Sequence, residues 1–196
     1  MAFDGRGDPF QKPDPTITGL RIKANGVVKD GNAYEVTNQL VVEKIKREVL
    51  YKNGVTLPVG AQKLMEEAKR KSRHSAKLSR NMAAGGYSKP ADAAPGTMSS
   101  HHIVAVADDR AKDSRRMLFG WGIGINDIDN GVRLPSYVAS NVPSLAQATK
   151  HAKIHTDTYY VAVFVMLSAA DQSDQQSGRH ALRYIKRQII DGVFPC

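Results

Sequence analysis

The chain has one cysteine, Cys196 at its last position, so it can form neither an internal disulfide nor a cysteine-built zinc site. The histidines must therefore carry any metal. No stretch approaches the roughly 18 apolar residues that span a bilayer. The longest run, Tyr159-Tyr160-Val161-Ala162-Val163-Phe164-Val165-Met166-Leu167, has the length of a buried core helix. An apolar targeting segment is missing too. The opening residues Met1-Ala2-Phe3-Asp4-Gly5-Arg6-Gly7-Asp8-Pro9 carry acidic side chains and no hydrophobic region of the kind a secretory signal needs, so export would use another route. Acidic residues are also few: 19 against 28 Lys and Arg leave a net charge of +9. A positive field of that size attracts polyanions and fits nucleic acid better than an anionic membrane.

Against these absences stand six histidines, four of them in two tight groups. His101 and His102 are adjacent in Ser99-Ser100-His101-His102-Ile103-Val104; His151 and His155 are four apart in His151-Ala152-Lys153-Ile154-His155. In a chain of this length chance gives roughly 0.2 adjacent pairs and roughly 0.2 pairs four apart, so the two together are rarer than either. On a helix, residues four apart share a face and can hold one cation from the same side. On a strand, neighbours point to opposite faces, so His101 and His102 must do different jobs unless the strand bends. The plain alternative is that His151 and His155 are surface residues of an amphipathic helix. His74, inside Lys69-Arg70-Lys71-Ser72-Arg73-His74, and His180, between Arg179 and Arg183, read as solvated helix residues.

A chain of 196 residues can bury a sizeable core, and one compact domain with an appended N-terminal segment is expected. Residues 1–37 read as a poorly ordered, proline-containing leader followed by short strands, and 38–97 as a helical region. Within 38–97 a first helix is capped by Asn38 and runs through residue 52 to Gly54, and a second runs from Pro58 to about residue 84, stopped by Gly85-Gly86. The second helix carries Lys69, Arg70, Lys71 and Arg73, either as a solvated face or as a ridge that contacts phosphates. Residues 98–196 then hold a strand over 98–106, a short basic helix near 110–119, a second strand from Asn130, and a loop over 136–145. Next comes a helix capped by Ser144 that carries both His151 and His155 to residue 168, and a last helix over 176–190 with Leu182, Ile185, Ile189 and Ile190 on one stripe.

The stretches Leu78-Ser79-Arg80-Asn81-Met82-Ala83-Ala84-Gly85-Gly86, His101-His102-Ile103-Val104, Gly124-Ile125-Asn126-Asp127-Ile128-Asp129-Asn130-Gly131-Val132-Arg133-Leu134-Pro135 and His155-Thr156-Asp157-Thr158-Tyr159-Tyr160 resemble the AHH nucleases. These are a branch of the HNH/endonuclease VII (ββα-metal) superfamily found largely as toxin domains of bacterial polymorphic and type VI secretion systems. The resemblance runs over about residues 76–196, with Ser100 standing where the family name has alanine. It implies an α+β fold, a ββα-metal core of β-hairpin and metal-binding helix embedded in a mainly helical domain. It also implies that His102 is the general base that activates water, that His101, His151 and His155 hold one divalent ion, and that Asn130 bonds backbone to fix the direction of His102.

Two readings of Asn130 remain at this level, the structural tie and a plain Asn-Gly turn. Arg133 either faces the scissile phosphate with a bidentate guanidinium or is an ordinary strand residue. Tyr159 and Tyr160 read as core packing, and Asp127 and Asp129 as turn residues outside the site. Three imidazoles without a carboxylate suit Zn, Ni, Co or Mn better than Mg, which prefers oxygen ligands; the resemblance admits Mg as well. The expected activity is a metal-dependent endonuclease acting on DNA, a toxin made in a bacterial cytoplasm, secreted by a specialised apparatus into target cells and blocked in its producer by a cognate immunity protein. Two alternatives stand beside it: an RNase toxin, and a non-catalytic DNA-binding module in which four histidines close around a structural zinc.

Overall fold

Asn53 and Gly54 both take positive φ, 50° and 80°, as a two-residue hairpin turn requires if its twist is to match its strands. They join β1 (Tyr51–Lys52) to β2 (Val55–Thr56). This hairpin replaces the helix expected to continue to residue 52: the Asn-Gly signal outweighs the apolar stripe before it. A side chain at position 54 has no room, because a Cβ there lies 2.2 Å from the Asn81 carbonyl oxygen. A computed structural model describes residues 48–196; the leader over 1–37 and the start of the helix expected from Asn38 lie outside the described residues.

The single helix expected over 58–84 is two, α1 (Ala61–Lys69) and α2 (His74–Ala84). A continuous helix would stack Lys69 on Arg73 and Arg70 on Arg73, and like charges at those spacings destabilise it. The chain instead turns extended at Arg70 (φ −68°, ψ 137°), and Ser72 and His74 donate to the carbonyls of Arg70 and Ser72 at 2.8 and 2.9 Å. Lys69, Arg70, Lys71 and Arg73 are exposed around this break. They form a corner and not a helical ridge.

The central hairpin pairs β3 (Met98–His102) with β4 (Gly131–Pro135) in antiparallel register, Ser100 opposite Arg133, His101 opposite Val132 and His102 opposite Gly131. Strand alternation therefore puts Ser100, His102, Gly131 and Arg133 on one face and His101, Val132 and Leu134 on the other. The first face is covered by α2 at close range: a Cβ on Gly131 lies 2.7 Å from Leu78 and 2.8 Å from Met82. Between the strands come a 3-10 turn (Asp109–Ala111), α3 (Lys112–Gly120) and a second 3-10 turn (Ile128–Asn130). After β4 come two more 3-10 turns (Pro143–Leu145, His151–Lys153), α4 (Asp157–Ser168) and α5 (Gln175–Ile190). The order strand, strand, helix around the central hairpin makes this an α+β fold, and all described residues belong to one compact unit.

Two features fix α4 and α5. Helix α4 buries Tyr159, Tyr160, Val163 and Leu167 and leaves Val161, Phe164 and Val165 exposed, so the apolar run is half buried and not enclosed: a helix can turn only one face to a core. Helix α5 starts on Asp174, whose carboxylate accepts from the amides of Gln176 and Ser177, and buries Leu182, Ile185 and Ile189. It also brings Arg179 to Asp127 (3.1 Å) and Asp129 (2.6 Å), with Arg183 on Asp129 at 2.8 Å. The two aspartates are thus buried counter-ions that lock α5 to the entry of β4, and His180 is exposed. Among the described residues no helix is long and apolar enough to cross a membrane.

Candidate metal and catalytic centre

His151 and His155 do not share a helix. Thr156 takes an extended conformation and its hydroxyl accepts the amide of Tyr159, capping α4 at Asp157, so the helix cannot extend back to Ser144. Ser144 bonds the Asp92 carboxylate through its amide (2.7 Å) and hydroxyl (2.8 Å) instead. The pair is brought together by the 3-10 turn His151–Lys153, with fully buried Ile154 anchoring the turn between the two imidazoles. Their ring centroids lie 5.4 Å apart, and His101 of β3 joins them at 5.2 and 5.1 Å. One ligand nitrogen from each of the three lies within 4.8 Å of the other two. Three imidazole nitrogens gathered this closely are a donor set that could serve one divalent cation.

Hydrogen-bond bookkeeping decides which nitrogens face the centre. Tyr159 has one hydroxyl proton and gives it to the Ile103 carbonyl at 2.9 Å, so at 2.9 Å from His101 it accepts, and His101 Nε2 is the donor. Nδ1 of His101 keeps its lone pair. Tyr160 stands in the same relation to His155: its hydroxyl lies 3.0 Å from Nδ1, so Nε2 of His155 is the nitrogen left for an ion. Arg110 stacks on Tyr160 at 4.2 Å and pairs with Asp108 and Asp157. The two tyrosines therefore pack, as expected, and also orient two imidazoles, as outer partners of metal-binding histidines do. Burial, and then the neighbouring histidines, hold His101 well below the ordinary range; burial lowers His151 and His155 as well. Three neutral donors that resist three protons fit one cation.

His102 turns the other way. Its Nε2 lies 3.3 Å from the Asn126 side-chain oxygen, and it is not among the three converging histidines. Burial pushes it down to about 4 from an ordinary 6.5, the Asn126 hydrogen bond opposing and His74 assisting. At neutral pH it is uncharged. In the metal-free protein the unfolded chain then binds more protons than the folded one between pH 6.5 and 4, so this contribution is complete above pH 6.5 and is lost on acidification. The loss from His102 alone amounts to about 3 kcal/mol between pH 7 and pH 4. Urea unfolding at both pH values should show a drop smaller by that amount in His102→Gln; an equal drop in both proteins would mean that His102 titrates normally in the fold.

Asn130 is fully buried, with its side-chain oxygen on the Val104 amide (2.8 Å) and its amide on the Ile125 carbonyl (2.8 Å) and the Val104 carbonyl (3.3 Å). It ties the chain leaving His102 to the loop that returns to β4. Arg133 does not face an open site. It is buried, its guanidinium donating to Ser79 Oγ (3.0 Å), the Ser79 carbonyl (3.1 Å) and Ser100 Oγ (2.8 Å), so strand alternation delivers it under α2 as a brace between helix and hairpin. The Ser100 oxygen thus accepts from Arg133, and no hydrogen bond joins it to a histidine among the described residues. His74, read as solvated, is buried, between the Arg70 carbonyl and Asn126.

Basic residues gather elsewhere. A groove of about 710 Å³ is walled by Lys69, Arg70 and Lys71 on one side and Lys112, Arg115 and Arg116 of α3 on the other, with His74 in its lining. The two basic segments, far apart in sequence, face one another. Arg73 is outside this lining.

A profile described as a nuclease family of the HNH/ENDO VII superfamily with conserved AHH matches residues 78–190, more than half of the chain. The chain belongs to the AHH nuclease family. Comparison with curated proteins and with solved structures gives no match. As an AHH nuclease it carries the family's paired histidines at His101 and His102, in the hairpin described above. Segment 48–77, with His74 and half the basic groove, lies upstream of the matched region. Asn126 and His74 escaped the sequence reading because no spacing links them to His102: they meet only through the loop over 121–127. Asn126 did lie inside a stretch that carries the resemblance, and that was its one available signal.

Proposed function

We propose that this AHH nuclease is a metal-dependent endonuclease of DNA in which His101, His151 and His155 hold one divalent ion and His102 is the general base. The observation that carries the reading is the division of the four histidines: three converge, while the fourth, next to His101 at the end of β3, stays out of the cluster and is held by Asn126. A structural zinc site closes with four ligands, whereas a catalytic one keeps a position open. His151 is partly covered and His155 exposed, so an ion held there would be reachable from solvent. When bound, the ion would neutralise charge on the phosphoryl group and on the departing alkoxide. His102 takes the proton of the attacking water, and its uncharged state leaves the required lone pair available. Asn130 holds the backbone on which that imidazole is mounted.

The groove between the α1–α2 corner and α3 is the proposed track for the duplex. The wider biology is proposed from the family: an effector made in a bacterial cytoplasm, delivered by a specialised secretion apparatus into target cells, and neutralised in its producer by a cognate immunity protein. Its neighbour gene should then encode a protein that relieves growth arrest caused by the wild-type chain.

Supercoiled plasmid is expected to be nicked by the full-length protein, to survive when a chelator is present, and to be nicked again when Zn, Ni, Mn or Mg is returned. Cleavage indifferent to chelation sinks the metal site; cleavage of structured RNA with intact plasmid makes it an RNase. On catalytically dead protein, the affinity for duplex should fall log-linearly with salt and hardly depend on sequence, since counterion release is the same at every phosphate. Neutralising Lys69, Arg70, Lys71 and Arg73 should flatten that line by about one unit for each phosphate contact removed. An unchanged slope would place the track away from this corner.

A further inference from the structure

Asn126 is fully buried. Its carbonyl accepts from the Asn81 side chain at 2.7 Å, and the next amide, that of Asp127, donates to the Gly124 carbonyl at 3.0 Å. With the backbone held on this side, the orientation of the side-chain amide remains to be set, and that orientation decides what His102 meets.

His74 sets it. The Arg70 carbonyl can only accept, so His74 Nε2, 3.1 Å away, carries a proton. In the neutral imidazole Nδ1 is then an acceptor, and it takes the N–H of the Asn126 side chain at 3.2 Å. The amide oxygen lies at the same 3.3 Å from that ring nitrogen and from Nε2 of His102; with Nδ1 of His74 already an acceptor, the oxygen's donor is His102. An amide oxygen only accepts. His102 must therefore hold its proton on Nε2, and its Nδ1, which makes no hydrogen bond among the described residues, keeps the lone pair.

We propose that His74 and Asn126 form a positioning relay, Arg70 carbonyl to His74 to Asn126 to His102, that holds His102 in the tautomer with Nδ1 open to take a proton from water. The relay rests on the reading of His102 as the base, and it extends the machinery to residues upstream of position 78, where the family match begins. It also places His74 both in the wall of the basic groove and two hydrogen bonds from the base, so that the groove and the reacting imidazole share a fixed element.

Long-range proton–nitrogen NMR on the metal-free, full-length, nitrogen-15-labelled protein reads each imidazole's tautomer with no variant required. His102 is expected to carry its proton on Nε2; a proton on Nδ1 overturns the relay. His74→Phe, which keeps the shape and removes both hydrogen bonds, should lower kcat about 10- to 100-fold, a range typical for loss of an orienting partner, with KM for plasmid and the Kd for Zn within about twofold of wild type on the same scale. His74→Gln supplies a donor for Arg70 and an acceptor for Asn126 and should restore most of kcat. Unchanged kcat in His74→Phe overturns the proposal, and so does a loss shared equally by kcat, zinc affinity and melting temperature that glutamine fails to rescue. Should His74→Phe not fold, the wild-type tautomer decides alone. The base assignment fails separately, if His102→Ala retains activity, whatever the tautomer.

Discussion

Replacing His102 with alanine is expected to lower phosphodiester cleavage by about 100- to 10,000-fold, the usual contribution of a positioned general base, while the affinity for a divalent ion stays within about twofold. Replacing His101, its immediate neighbour, should remove activity and metal binding together. The contrast follows from the strand itself. Side chains alternate across β3, so His101 meets Tyr159, His151 and His155 on one face of the hairpin while His102 meets Asn126 on the other. A ligand removed from a three-histidine site leaves two, too few to hold an ion firmly; removing His102, which is not among the three, leaves all of them. Isothermal titration with Zn and a nicking assay, run on both variants, test the split. Metal affinity lost in His102→Ala and kept in His101→Ala would reverse the two assignments.

What the sequence made legible were features whose physical cause is local. The two strands of the hairpin follow from the His-His and Asn-Gly-Val-Arg stretches, although the first ends at His102 and not at 106, and α5 follows from the stripe Leu182, Ile185, Ile189. The convergence of His151 and His155 was also visible as a spacing of four, although a 3-10 turn pinned by Ile154 achieves it and a helix does not. The Thr156 cap that forbids the helix was present as a residue but competed with an uninterrupted apolar pattern after it. Features built from distant segments were not legible. Arg133 finds its partners 33 and 54 residues away in Ser100 and Ser79, and His74 finds Asn126 across 52 residues. Nothing in a charge run such as 69–73 announces that its last neighbour will be drawn inside. Composition points the wrong way there, because a histidine among cations reads as solvated until its two acceptors are seen.

Arg179→Met should destabilise the fold by about 3–5 kcal/mol, the cost of breaking a buried ion pair from one side. The guanidinium is almost wholly enclosed, touching Asp127 with both terminal nitrogens and Asp129 with one, and these carboxylates are buried as well. Burial by itself would raise Asp129, but hydrogen bonds from Arg183 and Arg179 reverse this and hold its carboxyl below the usual range. With Arg179 gone, Arg183 still reaches Asp129, whereas Asp127 keeps only neutral partners, among them the amide and hydroxyl of Thr56 at 2.7 and 2.6 Å. Lysine should not rescue, since one ammonium cannot repeat a planar fork between two carboxylates. Asp127 is also the residue after Asn126, so the damage should reach the centre: the surviving folded fraction of Arg179→Met should cleave more slowly than its concentration explains. Urea midpoints at pH 7 give the first quantity and kcat per folded molecule the second. A destabilisation below about 1 kcal/mol would mean that water enters and solvates Asp127. The link from α5 through Asp127 to the His102 relay would then be a contact without mechanical consequence.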